Sequence, residues 1–185
     1  MATVVRRSSV WLSRVAHGAA YAALTLALSY PAAAVDPAAS HPLIGRLSPE
    51  VSQRLISGSN RNFRLSERRG EVVVLGFWTS WCGSCRSYLE RLGKLDATYA
   101  PAGLVVVGVS LDDDAAKAAE FTRAAGARFR NGVDVRKVLG ARFKVGEVPL
   151  TLLIDRDGIV RYAHGELDAA GDAELLLQVR QLLNE

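Results

Sequence analysis

The chain has 185 residues, with 23 Lys and Arg against 19 Asp and Glu and a formal net charge of +4. Two cysteines are too few for a scaffold stapled by several disulfides. The small positive excess comes without a nucleic-acid motif or interleaved aromatics, so nothing points to nucleic acid as a partner.

Arg6, Arg7 and Arg14 precede an apolar stretch from Val15 to about Tyr30, and Pro31-Ala32-Ala33-Ala34 follows. A positive segment, an apolar segment and small residues are the order of a secretory signal peptide. An uncleaved N-terminal membrane anchor is the alternative, and either outcome puts the body of the chain outside the cytoplasmic membrane. Setting residues 1–34 aside leaves 20 cationic against 19 acidic side chains on 151 residues, enough for one domain with its own core. Residues 35–61 carry Pro37, Pro42, Pro49 and a Ser-Gly-Ser-Asn run, and read as a linker of turns. The arginines at 46, 54, 61, 64, 68 and 69 read as a solvated face.

The domain is expected over 62–185. Phe63-Arg64-Leu65 alternates as a short strand, and Val72–Trp78 is a continuous apolar run of the kind buried on both faces. A helix is predicted from Cys82 to about Tyr99, with Tyr88, Leu89, Leu92, Leu95 and Tyr99 on its apolar side. Leu104–Val109 is a second buried strand. Asp112-Asp113-Asp114 opens the next helix, where acids are favoured and solvated, and Gly126 closes it. Asp134 is placed to cap a short helix over 135–142. Leu150–Ile154 and Ile159–His164 form a hairpin about Asp155-Arg156-Asp157-Gly158, and a last helix covers about 169–183. The order β-α-β-α-(α)-β-β-α gives an α/β fold: a central mixed sheet with helices on both faces, behind an N-terminal extension.

The chemistry concentrates at Trp81-Cys82-Gly83-Ser84-Cys85, directly after the first buried strand. A helix start presents unpaired N–H groups and the positive end of the helix dipole, which stabilises a thiolate on the first cysteine. One turn brings the second sulfur within reach of a disulfide, so the pair can exchange electrons with another protein's disulfide. A purely structural bridge is disfavoured, because so short a loop restricts the unfolded chain little. The redox-active Cys82–Cys85 disulfide then needs no separate cofactor. His17, His41 and His164 have no metal-ligand spacing, and no metal site is expected.

This pattern, with Val148-Pro149 some sixty residues later before a strand and an Asp-x-Asp-Gly hairpin, resembles the thioredoxin fold. The finer match is to exported TlpA/ResA-like thiol–disulfide oxidoreductases. It is carried by Phe63-Arg64-Leu65-Ser66, Gly70–Leu75, Phe77–Cys82, Val106–Ser110 and Val148–Asp155, and covers about 62–183. The resemblance implies that Cys82 attacks and Cys85 resolves. It implies that Gly83 allows close backbone approach and that Ser84 stands where many relatives carry Pro. It implies a cis peptide at Pro149, turning the Val148 backbone towards an extended substrate. Trp81 reads as a contact surface beside Cys82, with packing as the alternative. Trp78 and Phe77 read as core.

Three positions depart from the family pattern. Gly76 stands where ordinary thioredoxins have a buried acid, six residues before the first cysteine. Glu147 is the candidate proton-transfer substitute, against the plainer reading of a surface acid. Tyr88 and Glu90 replace the Glu and Pro of close relatives, so the first helix is expected without its usual kink. Function is read as reduction of specific protein disulfides, with apocytochrome c or a metallochaperone as clients and a membrane thiol-electron transporter as reductant. The alternatives are a periplasmic disulfide-donating oxidase and a copper-handling dithiol protein with His164 as a distant ligand.

Overall fold

The computed structural model describes residues 41–58 and 62–185. The leader at 1–34, His17, the start of the lead-in and Arg61 lie outside the described residues. In chain order the elements are β1 (Ser52–Ser57), β2 (Asn62–Arg64), β3 (Val72–Trp78), α1 (Cys85–Tyr99), β4 (Leu104–Ser110), α2 (Ala115–Ala124), β5 (Arg130–Val133), α3 (Val138–Arg142), β6 (Leu150–Ile154), β7 (Val160–His164) and α4 (Ala169–Asn184).

All seven residues of β3 are buried, as its unbroken apolar run predicts. Strand side chains alternate between faces. Val72, Val74 and Trp78 enter one core with Cys85, Tyr88, Leu89 and Leu92 of α1 and with Leu175 and Val179 of α4. Val73, Leu75 and Phe77 enter the opposite core with Leu139 of α3 and Phe143. Gly76 belongs to the first series, so a side chain there would project toward α1, into Tyr88 and Leu92.

The sheet runs in the order β2-β1-β5-β4-β3-β6-β7. β4 is parallel to β3, with α1 as the crossover, and β5 is parallel to β4. β6 lies antiparallel against the other side of β3, and β7 returns antiparallel to β6. The C-terminal end of β3, which launches the cysteine turn, therefore stands beside the start of β6, which follows Pro149.

Four expectations need correction. First, α1 begins at Cys85, not Cys82. Gly83 and Ser84 are weak helix formers, and Cys82–Ser84 form a turn closed by Cys85 N donating to Cys82 O at 3.2 Å. Second, the linker reading fails for Ser52–Ser57, which forms β1 and pairs with both β2 and β5. Only Leu55 of its six residues is buried, so no alternation was there to read. Residues 45–48 are fixed as well: Gly45 N donates to Val160 O at 2.8 Å and Ser48 N to Gly158 O at 2.9 Å. Third, β5 was not anticipated. It has four residues, with Asn131 and Gly132 at its centre. A Cβ on Gly132 would lie 3.2 Å from Gln53 Cβ of β1, so the bare backbone admits the neighbouring strand. Fourth, α3 starts only after Lys137 rather than at 135, whereas α2 starts directly after Asp114 as expected.

The helix caps follow the sequence more closely. Asp114 accepts from Ala116 N at 2.8 Å, and Asp134 accepts from Val138 N at 3.0 Å and Gly140 N at 2.9 Å. No helix among the described residues is long and apolar enough to cross a membrane.

Candidate active site

β3 ends at Trp78, whose carbonyl accepts from Leu111 N at 2.8 Å just past β4. The chain then leaves the sheet through Thr79–Ser84 and enters α1 at Cys85. Cys82 and Cys85 form a disulfide with their Cα atoms 5.3 Å apart. The two sulfurs differ in access. Cys82 is half-buried at the rim, while Cys85 is 0% exposed within the α1 core.

The loop before β6 supplies the facing wall. The Val148–Pro149 peptide bond is cis, and Val148 O lies 3.9 Å from Cys82 Sγ. Ser84 does not cap α1; its Oγ lies 3.7 Å from Cys82 Sγ instead. The first turn of α1 holds no acidic residue, so no carboxylate competes for its unpaired N–H groups. Trp81 is 76% exposed, and a Cβ on Gly83 would meet nothing within 4 Å. The expected site residues Trp81, Cys82, Gly83, Ser84 and Cys85 thus share one turn, and Val148 faces them across the sulfur.

Two hollows of about 400 Å³ adjoin the Lys144–Val148 segment before Pro149. One is lined by Trp81, Leu111, Lys137, Lys144 and Val148; the other includes His41, Lys144, Pro149 and Glu166. Glu147 lines both and is exposed. His41 is 8% exposed, and burial lowers its pKa, against the pull of the Phe143 and Lys144 backbone. His164 is buried on β7 with Nε2 2.6 Å from Gln178 Oε1, so that nitrogen is already engaged.

The departures at Gly76 and Tyr88 turn out to be one feature. A Cβ on Gly76 would collide with Tyr88 Oη and come 2.8 Å from Leu92 Cδ1. The Tyr88 hydroxyl shares a hydrogen bond with Thr151 Oγ1 at 2.9 Å and lies 3.3 Å from Leu150 O. The phenol therefore fills the space where a side chain on residue 76 would project. Burial pushes its pKa well above the ordinary tyrosine value, so it stays neutral at physiological pH. It also ties the helix bearing Cys85 to β6, one residue after Pro149. α1 runs unbroken from Cys85 to Tyr99, without a proline at Glu90.

Sequence reasoning missed Asp112. Local pattern reads it as a solvated acid at a helix start, yet it is 4% exposed and bonded to the cysteine turn through Ser80. Its position in a run of three acids hid it, since side-chain direction is not visible in such a run.

A two-sulfur couple with one accessible and one shielded member, set at the head of a helix on a mixed sheet, defines a thioredoxin-like thiol–disulfide oxidoreductase. Residues 44–163 match the AhpC/TSA family. The thiol:disulfide interchange protein DsbE of Yersinia pestis is 33% identical over 129 residues, covering 68% of this chain and 66% of that protein. The thiol-disulfide oxidoreductase ResA of Geobacillus thermodenitrificans (strain NG80-2) is 27% identical over 118 residues, covering 64% and 67%. The chain thus spans about two thirds of the length of these curated relatives. Among solved structures, a DsbE-type thiol:disulfide interchange protein from Chlorobium tepidum superposes with a TM-score of 0.70 at 31% identity, covering 76% of this chain and 97% of that one. The chain belongs to the AhpC/TSA family, among its thioredoxin-like DsbE/ResA thiol–disulfide oxidoreductases.

Proposed function

We propose that this chain reduces disulfides of exported proteins, with Cys82 as the attacking sulfur and Cys85 as the resolving one. The observation that carries the reading is the unequal exposure of the two sulfurs, with the accessible one against the Val148 carbonyl. In the reduced protein, the Cys82 thiolate attacks one sulfur of a client disulfide. A Cys82–client bond forms, and the client's other sulfur leaves as a thiolate. Cys85 loses its proton and attacks Cys82, the intramolecular disulfide closes, and the client's second thiolate is released. Two electrons pass from the dithiol to the client, and an external dithiol must restore the pair.

The leader at 1–34 supports an extracytoplasmic site of action, in the periplasm or its equivalent, whether the chain is released or anchored. Likeness to DsbE and ResA supports clients such as apocytochrome c or a metallochaperone, and a membrane-embedded thiol transporter as reductant. The cis bond at Val148–Pro149 and the open space beside Gly83 support an extended client segment pairing along this ridge.

Dithiothreitol-driven reduction of insulin tests the activity. The wild-type chain is expected to accelerate it and Cys82→Ser to give the uncatalysed rate; equal rates remove the proposal. Trp81→Ala separates contact from packing. Since the indole is 76% exposed, stability is expected to change by no more than about 0.5 kcal/mol. Client capture is expected to fall several-fold, and an unchanged kcat/KM assigns Trp81 no contact role. Glu147→Gln tests proton transfer to or from the Cys85 thiol. It is expected to slow resolution of the mixed disulfide, and unchanged rates between about pH 6 and 9 make Glu147 a plain surface acid.

A further inference from the structure

We infer that Asp112 is a positioning residue for the redox turn, acting on Cys82 through Ser80. The inference rests on the reading of Cys82 as the attacking sulfur and extends it to a residue outside the Cys-x-x-Cys segment. Asp112 lies two residues past β4 and is 4% exposed. Its Oδ1 accepts from Ser80 Oγ at 2.8 Å, and its Oδ2 accepts from Ser110 Oγ at 2.6 Å. Ser80 N donates to both oxygens, at 3.1 and 3.0 Å. Asp112 N donates in turn to Ser110 Oγ at 3.0 Å. Three donors converge on one buried carboxylate, and hydrogen bonds to a charged acceptor are about twice as strong as neutral ones.

The three consecutive acids have three directions. Asp114 caps α2, Asp113 pairs with Lys137 Nζ at 2.7 Å, and Asp112 alone turns inward to the cysteine turn. That turn has few other anchors. Trp81 and Gly83 are exposed, the Thr79 hydroxyl is buried without a partner, and Cys82 N reaches only Thr79 O, at 3.4 Å. When the disulfide opens, the Cys82–Cys85 link disappears. The carboxylate clamp two residues upstream then fixes where the free Cys82 thiolate stands against the start of α1 and the Val148 carbonyl.

The direction of the effect distinguishes positioning from simple charge. Removing a nearby anion would by itself make the Cys82 thiol more acidic. Loosening the turn takes the thiolate out of the field of the α1 N-terminus and makes it less acidic. The test uses the full chain carrying Asp112→Asn, with Asp113→Asn as the control and folding checked by circular dichroism. The pH profile of Cys82 alkylation is measured in the reduced protein, together with kcat/KM on a model disulfide. Asp112→Asn is expected to move the alkylation midpoint upward and to lower kcat/KM by about tenfold, while Asp113→Asn matches wild type. A downward or absent shift, or an equal effect in Asp113→Asn, overturns the inference. If Asp112→Asn does not fold, Ser80→Ala decides: an upward shift supports the clamp and an unshifted profile overturns it. A wild-type Cys82 that fails to react at any pH would instead sink the proposed function and leave the clamp a purely structural contact.

Discussion

Replacing Cys85 with Ser is expected to stop turnover while leaving the first attack intact. Cys85 is wholly buried in the α1 core, so client disulfides cannot reach it directly, whereas the Cys82 sulfur stands at the rim. With Ser at 85, the Cys82–client bond forms and nothing inside the protein breaks it. Steady-state reduction is expected to fall on the order of 1,000-fold, and a covalent adduct sensitive to reductant is expected on non-reducing gels. Cys82→Ser removes both the activity and the adduct. If instead Cys82→Ser forms the adduct and Cys85→Ser does not, the assignment of the two sulfurs is reversed. The same trap applied to a periplasmic extract identifies clients by mass spectrometry. It thereby tests the apocytochrome c and metallochaperone proposals without assuming either.

The largest effect on stability is expected from Gly76→Asp, which places an acid where ordinary thioredoxins carry one. The Cβ would collide with Tyr88 Oη and press on Leu92, in a core whose neighbouring side chains are 0–1% exposed. Overpacking of this kind costs about 1–3 kcal/mol. Burying a carboxyl beside an apolar leucine adds a comparable amount, about 1–3 kcal/mol, unless it finds a partner. The sum is about 3 kcal/mol or more, which lowers Tm by about 6–12 °C in a domain of this size. Tyr88→Phe alone gives up the bonds to Thr151 and Leu150 at a cost of about 1 kcal/mol. In the double variant the clashing hydroxyl is gone, so the two losses are expected to be less than additive. Chemical denaturation of the four proteins checks this; a Gly76→Asp chain as stable as wild type would show that residue 76 and Tyr88 are independent.

The coupling of Gly76 with Tyr88 marks the limit of what the sequence could reveal. Each position was visible as a departure, but their contact requires α1 to be laid across β3 in register. The parts of the fold with long apolar runs, β3, β4 and β6, were legible because a strand buried on both faces needs no alternation to announce itself. β1 and β5 were not legible. β1 has one buried residue, and β5 centres on Asn131 and Gly132, whose fit depends on the neighbouring strand. Asn131 Nδ2 donates to Ser57 Oγ and Phe129 O, so even its burial is a tertiary fact.

The site divides in the same way. Cys82, Cys85 and Trp81 are consecutive or nearly so, and local spacing was enough to group them. Val148 was placed beside Cys82 only through resemblance, and the 3.9 Å separation from its carbonyl is the corresponding contact in the fold. Asp112 was misread because local chemistry explains an acid before a helix equally well whether it faces solvent or the turn. Ser80, two residues past β3, and Ser110, the last residue of β4, were the partners to look for. Their meeting depends on the β3–β4 register that pairs Trp78 with Ser110.

The most direct test of the central claim is a redox titration of the Cys82–Cys85 couple in dithiothreitol and glutathione buffers, followed by tryptophan fluorescence. The account expects one reversible two-electron transition, with a midpoint between about −180 and −300 mV and a tenfold change in equilibrium constant per 29.6 mV or so. A pair that stays oxidised below about −300 mV would be a structural disulfide, and a midpoint near −120 mV would make the protein a disulfide donor. Either result contradicts a client-reducing dithiol.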